Sequence, residues 1–170
     1  MTIKSHIRTV PHYPKQGIQF RDITTLLKDP AGFRATVDEL VLRYQDVKID
    51  KIAGIESRGF ILGAPRAYAL NKGFIPIRKK GKLPYQTHEQ TYDLEYGTAT
   101  VAVHTDALKP GSRVLLIDDL LATGGTAAAA AALVKRLGAQ ILEISFLIEL
   151  GFLNGRQKLK DYPVRSLVVY

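Results

Sequence analysis

Residues 114–131 read VLLIDDLLATGGTAAAAA. Val114 to Ile117 are uniformly apolar, as in a strand buried on both faces of a parallel sheet. Two aspartates follow at once, Asp118 and Asp119, then a loop, ATGGT, and an alanine run. Thr126 to Leu137 reads as a helix with Gly138 as its C-terminal stop. The unit is therefore strand, loop, helix. In open α/β sheets ligands bind at the carboxyl ends of the strands, where Asp118 and Asp119 must lie. The loop Ala122, Thr123, Gly124, Gly125, Thr126 leaves a strand and enters a helix, so its backbone N–H groups converge at a helix N-terminus. Its glycines let the main chain approach an anion, and its threonines add hydroxyl donors. It is a phosphate cradle but not a Walker A loop, because no Gly-Lys-Ser/Thr follows.

Working outward, KDPAGFRATVDELVLRYQ predicts a helix with Asp29 as N-cap and Pro30 at its first position. Phe33, Val37, Leu40, Val41 and Tyr44 recur on one face. KIAGI and GFIPIRK read as strands, and the helix expected over GFILGAPRAYALN is broken or started near Pro65. Residues 81–97, GKLPYQTHEQTYDLEYG, are polar and weakly periodic, and are expected to be a long mobile loop. TATVAVH and QILEISFLIEL read as further strands. Helices alternating with apolar strands make the fold α/β, with a mainly parallel central sheet flanked by helices.

The chain has 170 residues, enough for one domain that buries roughly 70% of its extended-chain surface. It has no cysteine, which excludes disulfides, thiolate catalysis and cysteine-zinc sites. The first residues lack the apolar core of a signal peptide, and no apolar run approaches the ~20 residues of a membrane span, so a cytoplasmic location without membrane partners is expected. The net charge of +8 has two readings, a nucleic-acid surface or a site for small polyanions. Lys72, Arg78, Lys79, Lys80 and Lys82 crowd together, and RKKGKLP reads either as a loop gripping an anion or as a solvated basic loop. His6, His12, His88 and His104 show no metal-ligand spacing.

Carboxylates repel phosphate but accept hydrogen bonds from hydroxyls. A ligand carrying a phosphate on one arm and vicinal hydroxyls beside it would satisfy both the aspartates and the glycine loop. A ribose 5-phosphate has this form.

VLLIDDLLATGGTA resembles the 5-phosphoribosyl-1-pyrophosphate (PRPP) motif of the type I phosphoribosyltransferases. YPKQGIQFRDIT, AGIESRGFILGAP, IRKKGKLP, YDLEYGT and DALKPG extend the resemblance, in order, to nearly the whole chain, and point to the adenine-using branch of that family. The resemblance implies a single domain over residues 1–170, with a hood at about 8–28 covering the base and a mobile catalytic loop at about 81–97. It implies purine salvage: transfer of 5-phosphoribosyl from PRPP to N9 of adenine, giving AMP and pyrophosphate. Mg2+ is the implied cofactor, carried by PRPP with no direct protein ligands, and a homodimer is the implied assembly, with no specific nucleic-acid partner.

By the same resemblance Asp118 and Asp119 meet the ribose hydroxyls, and Ala122 to Thr126 hold the 5-phosphate. Glu56, Ser57, Arg58 and Gly59 form the pyrophosphate loop, with a cis peptide expected at Glu56–Ser57. Arg78, Lys79 and Lys82 supply cations to pyrophosphate, and one basic residue there can cross to a partner subunit. Phe20 stacks on adenine and Leu120 closes its other face, while the main chain of Gln19 and Arg21 reads the Watson–Crick edge. Gln19 departs from the family pattern, in which an apolar residue is usual. Glu95 is the implied catalytic residue, handling the purine proton as the loop closes, with Tyr96 helping to close it. Two alternatives share the ribose-phosphate site: a xanthine or guanine transferase, against which FRDIT and YDLEYG argue, and a PRPP-sensing regulator, which would be expected to carry an added DNA-binding segment.

Overall fold

In the computed structural model, which describes residues 2–170, the strand carrying both aspartates runs Arg113–Leu121 and lies in the middle of a sheet. In chain order the strands are β1 (Arg8–Pro11), β2 (Gln19–Asp22), β3 (Lys51–Ile55), β4 (Gly73–Lys79), β5 (Thr87–Asp93), β6 (Thr98–His104), β7 (Arg113–Leu121), β8 (Gln140–Glu149) and β9 (Val164–Val169). The α-helices are α1 (Thr24–Leu27), α2 (Pro30–Leu42), α3 (Arg58–Ala69) and α4 (Gly125–Arg136). The main sheet has seven strands in the order β5-β6-β4-β3-β7-β8-β9. All its pairings are parallel from β4 to β9; β6 is antiparallel to both β4 and β5.

The period of two along β7 sorts its side chains into two cores. Val114 and Leu116 pack with Ala130, Leu133 and Val134 of α4. Leu115 and Ile117 face the other way, onto Leu26, Leu40 and Leu62 of α1, α2 and α3. Helices on both faces explain why this strand is apolar without interruption. Truncating one such leucine to alanine removes about 2–5 kcal/mol. Helix α2 begins as expected: the Asp29 carboxylate accepts from the N–H groups of Ala31 and Gly32, and Pro30 follows it. Its buried face differs in detail. Phe33 and Val37 are only half-buried, and Thr36 is fully buried with its hydroxyl donating to the Gly32 carbonyl at 2.8 Å.

Two readings are corrected. Pro65 neither starts nor breaks a helix, because α3 runs through it from Arg58 to Ala69. The carbonyl that it deprives of a donor belongs to Ile61, an exposed residue of the helix. Residues 81–97 are not a featureless loop: Thr87–Asp93 pairs in full register with Thr98–His104 as a β-hairpin arm. Both faces of β5 carry polar side chains, so the period-two signal of a half-buried strand never formed. The C-terminal segment also forms a strand, β9, at the sheet's edge, where the alternation is weak.

The hood region folds as the two-stranded pair β1–β2 followed by α1. The Arg8 guanidinium and the Asp22 carboxylate are paired across it. On the α2–α3 face Arg66 is fully buried, within reach of Glu143 at 3.9 Å and bonded to Ser145 at 3.0 Å, beneath the Tyr44 ring. Among the described residues no helix is long and apolar enough to cross a membrane.

Candidate active site

The carboxyl ends of β3 and β7 open onto a cavity of about 480 Å³. Its floor is Asp118 to Ala127; its walls are Glu56, Ser57 and Arg58 where β3 gives way to α3, Lys79 at the end of β4 and Lys82 just past it, and Tyr92 from the hairpin. The topology explains this convergence, since β3 pairs directly with β7 on one side and β4 on the other.

Alternation along β7 sends Asp119 to the same side as Leu115 and Ile117, where α3 begins. There Arg58 Nε donates to Asp119 Oδ2 at 2.5 Å. Asp118 Oδ1 accepts from the Asp119 N–H at 2.8 Å. Burial, then the neighbouring Asp119 carboxylate, pushes the Asp118 carboxyl well above its ordinary range.

Glu56 organises the basic wall. Its carboxylate accepts from Arg78 Nε and a terminal guanidinium nitrogen at 3.4 and 3.2 Å, accepts from the Lys79 N–H, and lies 3.9 Å from Lys82 Nζ. Burial alone would raise its pKa; the Lys79 N–H and Arg78 outweigh it, so the carboxyl stays ionised below its ordinary range. Arg78 stands behind the wall, while Lys79 and Lys82 line the cavity. The Glu56–Ser57 peptide is cis, as expected. Gly59 lies under the floor: a β-carbon there would stand 3.0 Å from the Ile117 carbonyl and 3.1 Å from Asp118 Oδ1. Lys80 turns away to pair with Glu89 at 3.0 Å on the hairpin.

A second, smaller cavity of about 70 Å³ adjoins the first. Ile18, Gln19, Phe20 and Arg21 of the hood line one part of it, and Ile148 and Leu150, at the end of β8 and just past it, line another. Arg58, Asp119 and Leu120 line both cavities and mark their junction. Phe20 is braced edge-on by Tyr13, ring centroids 5.2 Å apart.

Glu95 lies in the exposed turn of the hairpin, between β5 and β6, and does not line either cavity. Its neighbour Tyr96 comes within 5.4 Å of Lys15 Nζ in the hood loop, so the hairpin tip reaches the hood. Tyr92 went without a role in the sequence reading. It lines the larger cavity, and its hydroxyl lies 3.2 Å from Thr126 Oγ1. Ile148 and Leu150 were missed as well, although β8 was legible as a strand. Its parallel register, Leu120 beside Ile148, carries its end to the same edge as the aspartates.

The family described as the phosphoribosyl transferase domain matches residues 23–168. The adenine phosphoribosyltransferase of Nitrosospira multiformis is 60% identical over 165 residues, covering 97% of this chain and 94% of the relative. The crystal structure of adenine phosphoribosyltransferase from Thermoanaerobacter pseudethanolicus superposes with a TM-score of 0.94 at 49% identity, covering 99% of this chain and 98% of that one. The Saccharomyces cerevisiae enzyme, solved with an imino-altritol bisphosphate and adenine, gives 0.92 at 43% identity, covering 97% and 96%.

Proposed function

This chain belongs to the phosphoribosyl transferase family, and from that premise we infer that it joins adenine to the phosphoribosyl group of PRPP, releasing AMP and pyrophosphate. The observation that carries the reading is the junction of the two cavities. The larger is polar and walled by cations and main-chain donors, as a sugar bisphosphate requires. The smaller is lined largely by apolar side chains, as a purine requires. Where Arg58, Asp119 and Leu120 border both, a base nitrogen and a sugar carbon would meet.

The reaction breaks the bond from the anomeric carbon to pyrophosphate oxygen and forms the bond from that carbon to N9. The N9 proton leaves the base. Residues 122–126 hold the 5-phosphate by main-chain N–H groups and threonine hydroxyls, and Asp118 and Asp119 accept from the ribose hydroxyls. Lys79, Lys82 and Arg58 take up charge on the departing pyrophosphate, with Arg78 and Glu56 holding that wall in place. Such fixed charges act where negative charge develops, and cost no reorganisation at that moment. For Arg58 to serve pyrophosphate, its contact with Asp119 must loosen or be shared, as PRPP hydroxyls reach the carboxylate.

Phe20 and Leu120 sandwich the base, and the main chain of Gln19 and Arg21 selects a 6-amino purine. A 6-oxo purine reverses the donor and acceptor, leaving buried groups unsatisfied at about 1–3 kcal/mol each. Glu95 would reach the base as the hairpin tip moves inward, and would take or stabilise the N9 proton.

Mg2+ suits this donor set. It would be carried by PRPP with no direct protein ligand, keeping much of its shell as water and phosphate oxygen, while Asp118 and Asp119 accept from the ribose hydroxyls beside it. When bound with PRPP it neutralises charge on the diphosphate. A cytoplasmic homodimer is the working form we propose, with one basic residue of 78–82 reaching the partner's site; sedimentation at micromolar concentration would reveal a monomer if that is wrong.

The test measures pyrophosphate release from PRPP and Mg2+ with adenine, hypoxanthine, guanine and xanthine in parallel. Turnover confined to adenine is expected. Turnover with guanine or xanthine instead would move the chain to the other purine branch, and PRPP binding without any turnover would make it a sensor.

A further inference from the structure

The two walls of the smaller cavity come from distant parts of the chain, the hood strand β2 and the end of β8. One side chain touches the first and is bound into the second. The Arg21 guanidinium carbon lies 3.8 Å from the centre of the Tyr170 ring. Lys4 Nζ stands 4.4 Å from the same ring and donates to the Val169 carbonyl at 3.1 Å. Tyr170 is itself fixed to the end of β8: its N–H donates to the Glu149 carbonyl, and its carbonyl accepts from the Gly151 N–H, both at 2.9 Å. Glu149 lies between Ile148 and Leu150, two residues that line the cavity together with Arg21.

Arg21 depends on this contact. Its Nε is buried and has no hydrogen-bond partner, and a terminal nitrogen bonds Thr9 Oγ1 across the β1–β2 pair. A guanidinium held this way gains its remaining stabilisation from the aromatic face beneath it, which attracts a cation through its quadrupole and matches its plane. The stack therefore ties β2 to the end of β8.

We propose that Tyr170 is a positioning residue for base selection: by stacking on Arg21 while bonded to the end of β8, it holds the two walls of the base cavity at the spacing of one purine. The inference rests on the reading of this cavity as the adenine site. Tyr170 touches neither substrate. It acts through the main chain of Gln19 and Arg21, whose alignment with the base edge the stack preserves.

Tyr170→Leu keeps apolar bulk and loses the aromatic face, whereas Tyr170→Phe keeps the face. Initial rates with adenine varied at saturating PRPP, and with PRPP varied at saturating adenine, separate the effects. Loss of a cation–aromatic contact predicts an adenine KM raised roughly 3- to 30-fold in Tyr170→Leu. The KM for PRPP should stay within about twofold, and the preference for adenine over hypoxanthine should fall alongside. Tyr170→Phe should match the parent on all three measures. Should Tyr170→Leu not fold, Arg21→Lys, which keeps the charge but not the planar stack, must give the same split. Equal changes in both KM values, no change in either, or a Phe variant that behaves like Leu would each overturn the proposal. Parent enzyme that makes no AMP from adenine would instead sink the underlying reading.

Discussion

Gly124 and Gly155 meet backbone to backbone beneath the phosphate loop. A β-carbon on Gly124 would run into the Gly155 carbonyl oxygen, and one on Gly155 would run into the carbonyl oxygen of Ala122. Gly124 also has φ +87°, in the left-handed region. Arg156, next in the chain to Gly155, is bonded to both carboxylate oxygens of Glu149 at 2.7 Å. The loop that would hold the 5-phosphate is therefore braced from below by a segment anchored to β8.

Gly124→Ala should consequently cost both stability and PRPP affinity. The positive φ alone costs an alanine about 1–2 kcal/mol, and the clash with Gly155 adds to it. Urea denaturation should show a loss of about 2 kcal/mol or more, with calorimetric PRPP affinity down at least about tenfold. A variant with parent stability and affinity would mean that the contact is easily relaxed.

Asp118→Asn should move stability and function in opposite directions. The folded protein raises the Asp118 pKa, through burial and then Asp119, so folding favours its proton. The charged form costs nothing below the ordinary value of 3.8, and its cost grows as pH rises above that. At pH 7 the amide should therefore stabilise the fold by about 0.5–2 kcal/mol, and below about pH 3.5 by almost nothing. PRPP affinity should fall at the same time. Denaturation curves at both pH values, with calorimetry at pH 7, check both halves.

Tyr92 joins the hairpin to the phosphate loop, and Tyr92→Phe isolates its hydroxyl. With phosphate bound, the Thr126 hydroxyl can donate to phosphate while accepting from Tyr92, so ligand and hairpin share one hydrogen-bond chain. Losing a bond worth about 0.5–1.5 kcal/mol should raise the PRPP KM roughly 2- to 10-fold. The adenine KM should hardly move. Hydrogen exchange over residues 87–93 should then lose the protection that PRPP confers on the parent.

Glu95→Ala should lower kcat far more than it raises the KM for PRPP. A positioned acid–base group contributes about 10²–10⁴-fold, and Glu95→Gln should recover little of it because an amide takes up no proton. Single-turnover AMP formation at saturating PRPP removes product release from the comparison. A near-parental rate in Glu95→Ala would leave the proton to water.

Stability of the hood should decline in acid through Asp22. The Thr24 N–H and then Arg8 lower its pKa to about 2 from an ordinary 3.8, so the folded form holds the charge more firmly. That contribution is complete above pH 3.8 and disappears as pH falls through about 2. Because Arg8 is largely exposed, solvent and salt screen part of it. Protection of hood amides, corrected for the intrinsic pH dependence of exchange, should fall between pH 4 and 2 in the parent and stay level in Asp22→Asn.

The central strand, the acid pair, the glycine loop and the helix after it were determined by local sequence. Each rests on a short-range pattern: unbroken apolar residues for a strand buried on both faces, glycines before a helix, and Asp29-Pro30 for a helix start. The hairpin arm was beyond that reach, since THEQTYD is polar on both faces and becomes a strand only through its ladder to TATVAVH. So was the bracing of Gly124 by Gly155, which are separated by a helix and a strand and touch because β7 and β8 pair in parallel. Arg66 looks like a surface residue of a helix until β8 places Glu143 and Ser145 against it. The smaller cavity was legible as to its residues in the hood, but its β8 lining and the Tyr170 stack were decided by the sheet. A side chain's local sequence determines what it can bind, whereas strand order and register determine which distant partner comes within range of it.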